Sequence, residues 1–420
     1  MVTSTSARAP GSDEDPGARR RSPAALLDSL PWWFPPLALV LLTRLADAWM
    51  LVRLGADQVA LDVGQGFYLV EPVPADPGYF DLVTNWDGQW YRTIAEQGYP
   101  TELPRYDGEV QQNPWAFFPA LPALARLVMT LTGASFGLAA STVSLVASTV
   151  ALVLLYRLLA RHGGRYVALV TTTAISAAPA GAILQTSYTE GLSLLLIVLV
   201  LDALSRRRYG AVAAWVVLLA LTRPVVLALV PVLLVHAWWR WRAEGPLPHR
   251  ELLRLGGLVV LTGLSFGLWP LVAAVVTGEP NAYLLTQGAW VLTEERSWQT
   301  WLGQLLGVTG ATLAADVAVV VLLVLAIVLQ PAARAWTPEL RAWAVSYGAF
   351  LLVTARPTPS ITRYALLLLV VWWPFPTLGR RWPRAGQAVV LGGVLVVGLL
   401  LQHAWLESSF LLTMRRTAYP

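Results

Sequence analysis

The chain has 420 residues, of which 56% are hydrophobic and 13% charged, against about 25% charged in an ordinary soluble domain. All 30 basic residues are arginine, there are 25 acids and no cysteine, and the net charge is +5; this excludes a disordered chain, a disulfide scaffold, a thiolate metal site and a cysteine nucleophile. Several apolar stretches reach the roughly 20 residues that cross a bilayer, which excludes a typical soluble enzyme. The arginines cluster in short loops, an orientation signal for a membrane protein and not a nucleic-acid footprint.

Residues 1–30, rich in Pro, Gly, Ser and Arg, read as a disordered cytoplasmic tail. The acids Asp13, Glu14 and Asp15 in it have no apolar surroundings to fix a metal-binding geometry. Residues 31–420 read as a single membrane-embedded domain. Its first span runs from Trp33 to Val52, and Arg44 and Asp47 inside it are three apart, able to pair on one helix face. Residues 53–135 form a long acidic external loop with short interfacial helices. Within it, Phe117–Leu131 is apolar but carries Pro119, Pro122 and Arg126, and reads as a membrane-surface or re-entrant segment.

Further spans are predicted at 137–159, 166–184, 188–204, 253–277, 312–330, 340–356, 361–379 and 386–404. The apolar stretch 210–239 would be roughly 45 Å long as one helix. Thr222-Arg223-Pro224 breaks it, and Arg206–Arg208 and Arg240 and Arg242 flank it. Basic flanks belong on one side, so it reads as a hairpin of two half-helices with its apex in the membrane. The expected fold class is an all-α polytopic bundle of about nine full spans plus this hairpin. The N-terminus and the arginine clusters at 157–165, 206–208, 240–254, 334–341 and 380–384 fall inside. The 53–113 loop, the turns near 185–190 and 357–362, the loop 278–311 and the C-terminus fall outside.

The strongest local signal is WDGQWYRTIAEQGYP, Trp86–Pro100. Asp87, Trp90, Tyr91 and Ile94 recur at helical spacing and Gly98 and Pro100 are stop signals. A short amphipathic helix follows, with Asp87 in its first turn and its aromatics toward the membrane. Asp87 is then either a helix N-cap or a general base at the membrane–water interface. A second signal is polar residues at external membrane depth: Gln185, Ser187, Tyr188 and Glu190, Arg223 at the hairpin apex, and Arg356, Arg363 and Tyr364 around the turn 357–362. Ionisable groups at that depth face a cavity or pair with one another; arginines there can also snorkel to headgroups. An arginine fork suits phosphate. No His/Asp/Glu constellation has metal-ligand spacing, and no P-loop, GxGxxG or GxSxG motif occurs, so no metal and no cofactor are expected.

The segment WDGQWYRTIAEQGY resembles the first-loop motif of the PIG-V family, the GPI mannosyltransferase II-like enzymes of GT-C architecture. The order of later landmarks is similar: AFFPALP (Ala116–Pro122), YTEG (Tyr188–Gly191), LTRP (Leu221–Pro224), AYLLTQGAW (Ala282–Trp290) and Arg363-Tyr364. Gly191 stands where members of that family usually carry serine. The resemblance implies a membrane-embedded transferase domain. It implies inverting transfer of a sugar, usually mannose, from a polyprenyl-phosphate donor to a lipid-linked, glycan or protein acceptor on the outer face of the plasma (inner) membrane. Asp87 would be the catalytic base. Trp86, Trp90, Tyr91, Tyr188, Glu190, Arg223, Gln287, Trp290, Arg363 and Tyr364 would bind substrate. Arginine- and alanine-rich, lysine-free composition fits a bacterial member. Two alternatives stand beside it, a flippase or transporter of lipid-linked sugars and a GT-C transferase with another sugar. A transporter should show internal repeats, and none is evident.

Overall fold

The chain begins its ordered course with α1 (Phe34–Gly55), where Pro35 and Pro36 open a helix whose missing amide bonds cost nothing in the first turn. The computed structural model describes residues 30–63, 69–290, 313–354 and 360–412. Residues 1–29 of the expected tail, Arg356, the first half of the turn 357–362 and most of the loop 278–311 lie outside the described residues. Arg44 and Asp47 of α1 pair at 3.0 Å and are buried. Arg44 also donates to the Ser176 and Gly181 carbonyls at 2.6 and 2.7 Å, so the pair ties α1 to the bundle as a structural contact.

The long loop that follows is folded. It holds α2 (Tyr79–Leu82), α3 (Asp87–Gln97), a two-stranded hairpin of β1 (Arg105–Tyr106) and β2 (Glu109–Val110), and α4 (Ala120–Thr132). Asp107 and Gly108 join the strands with φ of 48° and 81°, the left-handed pair that a tight hairpin turn requires. α3 ends where the sequence says it should, at Gly98 with φ 85°. α4 buries Leu121, Pro122 and Ala125 and exposes Leu127 and Leu131. Its 13 residues give about 20 Å of helix, short of the ~30 Å hydrocarbon core, as a surface or re-entrant segment requires.

α5 (Phe136–Gly163) is the centre of the bundle and packs on α1, α4, α6 (Arg165–Ser176) and above all α7 (Glu190–Ser205). Its facing residues are small, Ala140, Ser144, Ala147, Ser148 and Ala151, which lets two backbones approach closely. Ser144 and Ser148 donate to the Tyr188 and Leu184 carbonyls, each at 2.8 Å. Gly191 lies at this seam: a Cβ there would come within 2.7 Å of the Ser144 carbonyl oxygen. That contact accounts for a glycine at this position.

The stretch 210–239 is a broken hairpin. α8 (Tyr209–Ala220) stops at Thr222-Arg223, a 3-10 turn spans Pro224–Ala228, and α9 (Leu229–Glu244) returns. Its two bases meet: Arg207 pairs with Glu244, Arg240 donates to the Tyr209 hydroxyl at 3.2 Å, and that hydroxyl lies 3.3 Å from His236. Both ends are therefore on one side, as the flanking arginines imply. α10 (His249–Phe266) and α11 (Leu268–Thr277) run on as one long rod, and α12 (Ala282–Gly288), α13 (Leu313–Leu329), α14 (Pro338–Thr354), α15 (Ile361–Tyr364) and α16 (Arg384–Trp405) complete the chain.

The protein is an all-helical polytopic membrane type. Among the described residues, four helical stretches combine the length and apolarity to cross a bilayer: Phe136–Gly163, Pro224–Glu244, His249–Thr277 and Arg384–Phe410. Of the other expected spans, the first is the unbroken 22-residue α1, and the rest are shorter or broken. The stretch 166–184 becomes α6 and a 3-10 turn Gly181–Gln185, interrupted around Pro179. The stretch 361–379 stops being helical at Trp372 and is broken at Leu369, with φ 53°.

Candidate active site

The hairpin apex, the end of α14 and the short α15 converge with the loop helix α3 on one cavity of about 400 Å³. Asp87, Tyr91, Arg223, Gln287, Arg363 and Tyr364 all line it. Six of the eleven residues expected at the site thus face a single space.

Asp87 opens α3, and its carboxylate accepts from Arg363 Nη1 at 2.5 Å. Trp86, and not Asp87, occupies the N-cap position of α3, and it makes no side-chain cap hydrogen bond. Trp86 has φ 62°, a costly conformation for a bulky residue. The Trp86 indole donates to the Phe410 carbonyl at 2.7 Å, which holds the strained turn that aims Asp87 at the cavity. Trp86 is therefore an anchor behind the site.

Arg223 sits in extended backbone (φ −160°) between α8 and the turn begun by Pro224. It pairs with Glu190 at 3.0 Å, and Arg363 reaches the same Glu190 oxygen at 3.6 Å. Glu190 is fully buried at the start of α7, behind the two arginines, and does not line the cavity. It holds the two guanidiniums side by side despite their separation in the chain. Aromatic faces complete the mounting. Tyr364 lies 5.0 Å from both guanidinium carbons and Tyr188 lies 5.2 Å from that of Arg363. Tyr188, wholly buried, donates to the Asn85 carbonyl at 3.1 Å, joining α7 to the turn that carries Asp87.

The aromatics of α3 turn into the protein and not toward lipid. Tyr91 is buried edge-on to Phe117, and Trp90 stacks on Phe117 at 5.7 Å with Trp290 edge-on at 5.4 Å. Trp90 and Trp290 thus buttress Phe117, which lines the cavity. The loop has its own hydrophobic core, which explains the inward turn. Burial pushes the Tyr91 hydroxyl above its ordinary value, opposed by Arg223, and pushes Tyr283 up to about 12; both stay neutral hydrogen-bonding groups.

Sequence reasoning did not single out Phe117, Phe118, Tyr283, Tyr347 or Phe350 as site residues, yet they make the apolar wall. The first three lie within the quoted AFFPALP and AYLLTQGAW landmarks. Tyr347 and Phe350 lie inside an apolar run, where an aromatic facing a cavity and one facing lipid look alike. Among the described residues, no group of three or more His, Cys, Asp or Glu side chains is placed to hold a metal ion.

Comparison with known protein families and with curated proteins finds no match. Solved structures are similar at low identity. One is the archaeal oligosaccharyltransferase AglB from Archaeoglobus fulgidus in complex with an inhibitory peptide and a dolichol-phosphate. It shares 13% identity and a TM-score of 0.48, over 92% of this chain and 56% of that one. Another is ArnT from Cupriavidus metallidurans bound to undecaprenyl phosphate, with 16% identity and a TM-score of 0.47, over 86% of this chain and 64% of that one. The chain spans between about half and two thirds of the length of these structures.

Proposed function

We propose that the protein is an inverting GT-C-type glycosyltransferase. It moves a sugar, mannose by the PIG-V resemblance, from a polyprenyl-phosphate donor to a glycolipid, glycan or protein acceptor of the cell envelope, on the outer face of the plasma membrane. The observation that carries this reading is one carboxylate and two guanidiniums on a single half-apolar cavity. A lipid-linked donor keeps its tail in the bilayer and brings its phosphate to the arginines. Arg223 and Arg363 hold the phosphate through charge-assisted hydrogen bonds. The acceptor hydroxyl attacks the anomeric carbon, and its proton passes to the Asp87 carboxylate. The bond from that carbon to the phosphate oxygen breaks, and the electron pair leaves with the polyprenyl phosphate, whose charge the arginines stabilise. One base and one good leaving group suffice for inversion, so Glu190 is free to act as a buried counter-ion.

The test is incubation of the purified protein in lipid with radiolabelled polyprenyl-phosphate mannose and a cell-envelope extract, with glucosyl and arabinofuranosyl donors in parallel. Label moving to a second glycan, lipid or protein supports the reading, and the donor used names the sugar. Donor that crosses the bilayer with its sugar still attached would replace the transferase with a flippase.

A further inference from the structure

At the end of the molecule away from the reaction cavity, α8 and α10 diverge and leave a groove of about 650 Å³. Its mouth carries Arg207, Arg208 and Arg254, its floor Tyr209 and Leu258, and it continues past Gly210, Gly257 and Leu261. The groove exists because side chains are missing from it: a Cβ at Gly210 or at Gly257 would meet nothing within 4 Å. Glu244 pairs with Arg207. Among the described residues no acid pairs with Arg208 or Arg254, and both are exposed. Helix α8 is 12 residues long, so the groove mouth stands roughly 18 Å from the apex arginine Arg223 and is separate from the candidate active site.

We infer that this groove binds one anionic phospholipid, with its phosphate on Arg208 and Arg254 and an acyl chain lying between α8 and α10. The charged residues that line the mouth are all arginine, with Glu244 balancing Arg207 alone, and the walls beyond are small or apolar, which matches a phosphate on a hydrocarbon tail. A free phosphate would use the mouth and leave the groove empty. A zwitterionic lipid would fill the groove but gain less at the mouth, because arginines at the membrane surface are attracted to a net negative headgroup.

The experiment is native mass spectrometry of the full chain in detergent, titrated with phosphatidylglycerol, with phosphatidylcholine of the same acyl chains, and with glycerol phosphate. Phosphatidylglycerol is expected to bind in a one-to-one complex, and phosphatidylcholine roughly 10-fold more weakly. Two variants are measured beside the wild type. The double substitution Arg208→Ala, Arg254→Ala should remove the preference between the two lipids. Gly257→Leu, which fills open space in the groove, should weaken both lipids without changing the preference. Equal binding of the two lipids by the wild type, glycerol phosphate binding as tightly as the lipid, or no effect of Gly257→Leu would each overturn the inference.

Discussion

Asp87 lies within 2.5 Å of Arg363, so the side chain proposed to accept a proton also neutralises the cation proposed to hold the phosphate. Asparagine keeps the shape and a carbonyl oxygen that can accept from Arg363, but it cannot take the proton. Asp87→Asn is expected to fold and bind donor normally, with transfer reduced about 100-fold or more, since positioned bases contribute roughly 10² to 10⁴. Full activity in that variant would place the base elsewhere. Arg363 touches two acids and two tyrosine rings through one planar group. Lysine keeps the charge but not the fork, so Arg363→Lys should lower transfer at least about 10-fold with the fold intact by circular dichroism. Glu190 is the sole acid recorded against Arg223 among the described residues. Glu190→Gln leaves two adjacent cations without their shared anion, an imbalance that costs about 3 kcal/mol for buried pairs. Its Tm should fall, and a polyprenyl phosphate should raise the variant's Tm more than the wild type's, because the phosphate replaces the lost charge. Equal shifts in the two proteins would remove Glu190 from this role. Glu190, Arg223 and Arg363 were legible in the sequence because charge at membrane depth is costly and so conspicuous, and Asp87 through the motif Trp86–Pro100. That Glu190 stands behind the arginines was not, because spacing tells depth along a helix and not which layer a side chain occupies.

At the scale of elements, the hairpin was legible and the break near Leu369 was not. Thr222-Arg223-Pro224 interrupts an apolar run with a cation and a residue that cannot continue a helix. The run Ala365–Trp373 carries no such mark. Its break is held partly from outside: the Trp343 indole donates to the Leu367 carbonyl at 2.7 Å, while the run's own Trp372 indole donates to the Ala365 carbonyl at 2.8 Å. Satisfied carbonyls remove the penalty for leaving the helix, and no local pattern reveals a donor on another helix. The α5–α7 seam is legible only as small residues, but its tightness makes a sharp prediction. Gly191→Ser places a Cβ within 2.7 Å of a backbone oxygen and 3.2 Å of the Ser148 Cβ. Overpacking of this kind costs about 1–3 kcal/mol. Thermal unfolding in detergent should show a lower Tm, and because Glu190 is the next residue, donor affinity should fall with it. An unchanged Tm would mean that α5 and α7 are free to separate.

At the scale of the whole molecule, the arginines assigned to one side by sequence are gathered at one end of the bundle. Arg161 and Arg206 share Asp202 at 2.8 Å, bringing the ends of α5 and α7 together. Arg157 lies 5.1 Å over Trp32 at the start of α1, and Arg341 lies 5.7 Å over Trp239 near the end of α9. The base of the hairpin joins the same end through Arg207 and Glu244. Asp87, Arg223 and Arg363 are at the other end, at the apex of that hairpin. Positive residues stay on the cytoplasmic side, so the cavity should open outward. That Arg223 and Arg363 meet on one cavity was legible from their common depth, whereas its apolar walls were not, because they come from several distant segments. The side is open to a direct measurement, since the chain has no cysteine. Tyr106→Cys lies on the β1 strand beside the cavity end, and Ala243→Cys lies at the hairpin base; both positions are exposed. In intact cells an impermeant maleimide should label the first and not the second, and in inverted vesicles the second and not the first. Labelling of both from one side would undo the topology and, with it, the access of a lipid-linked donor from the outer leaflet.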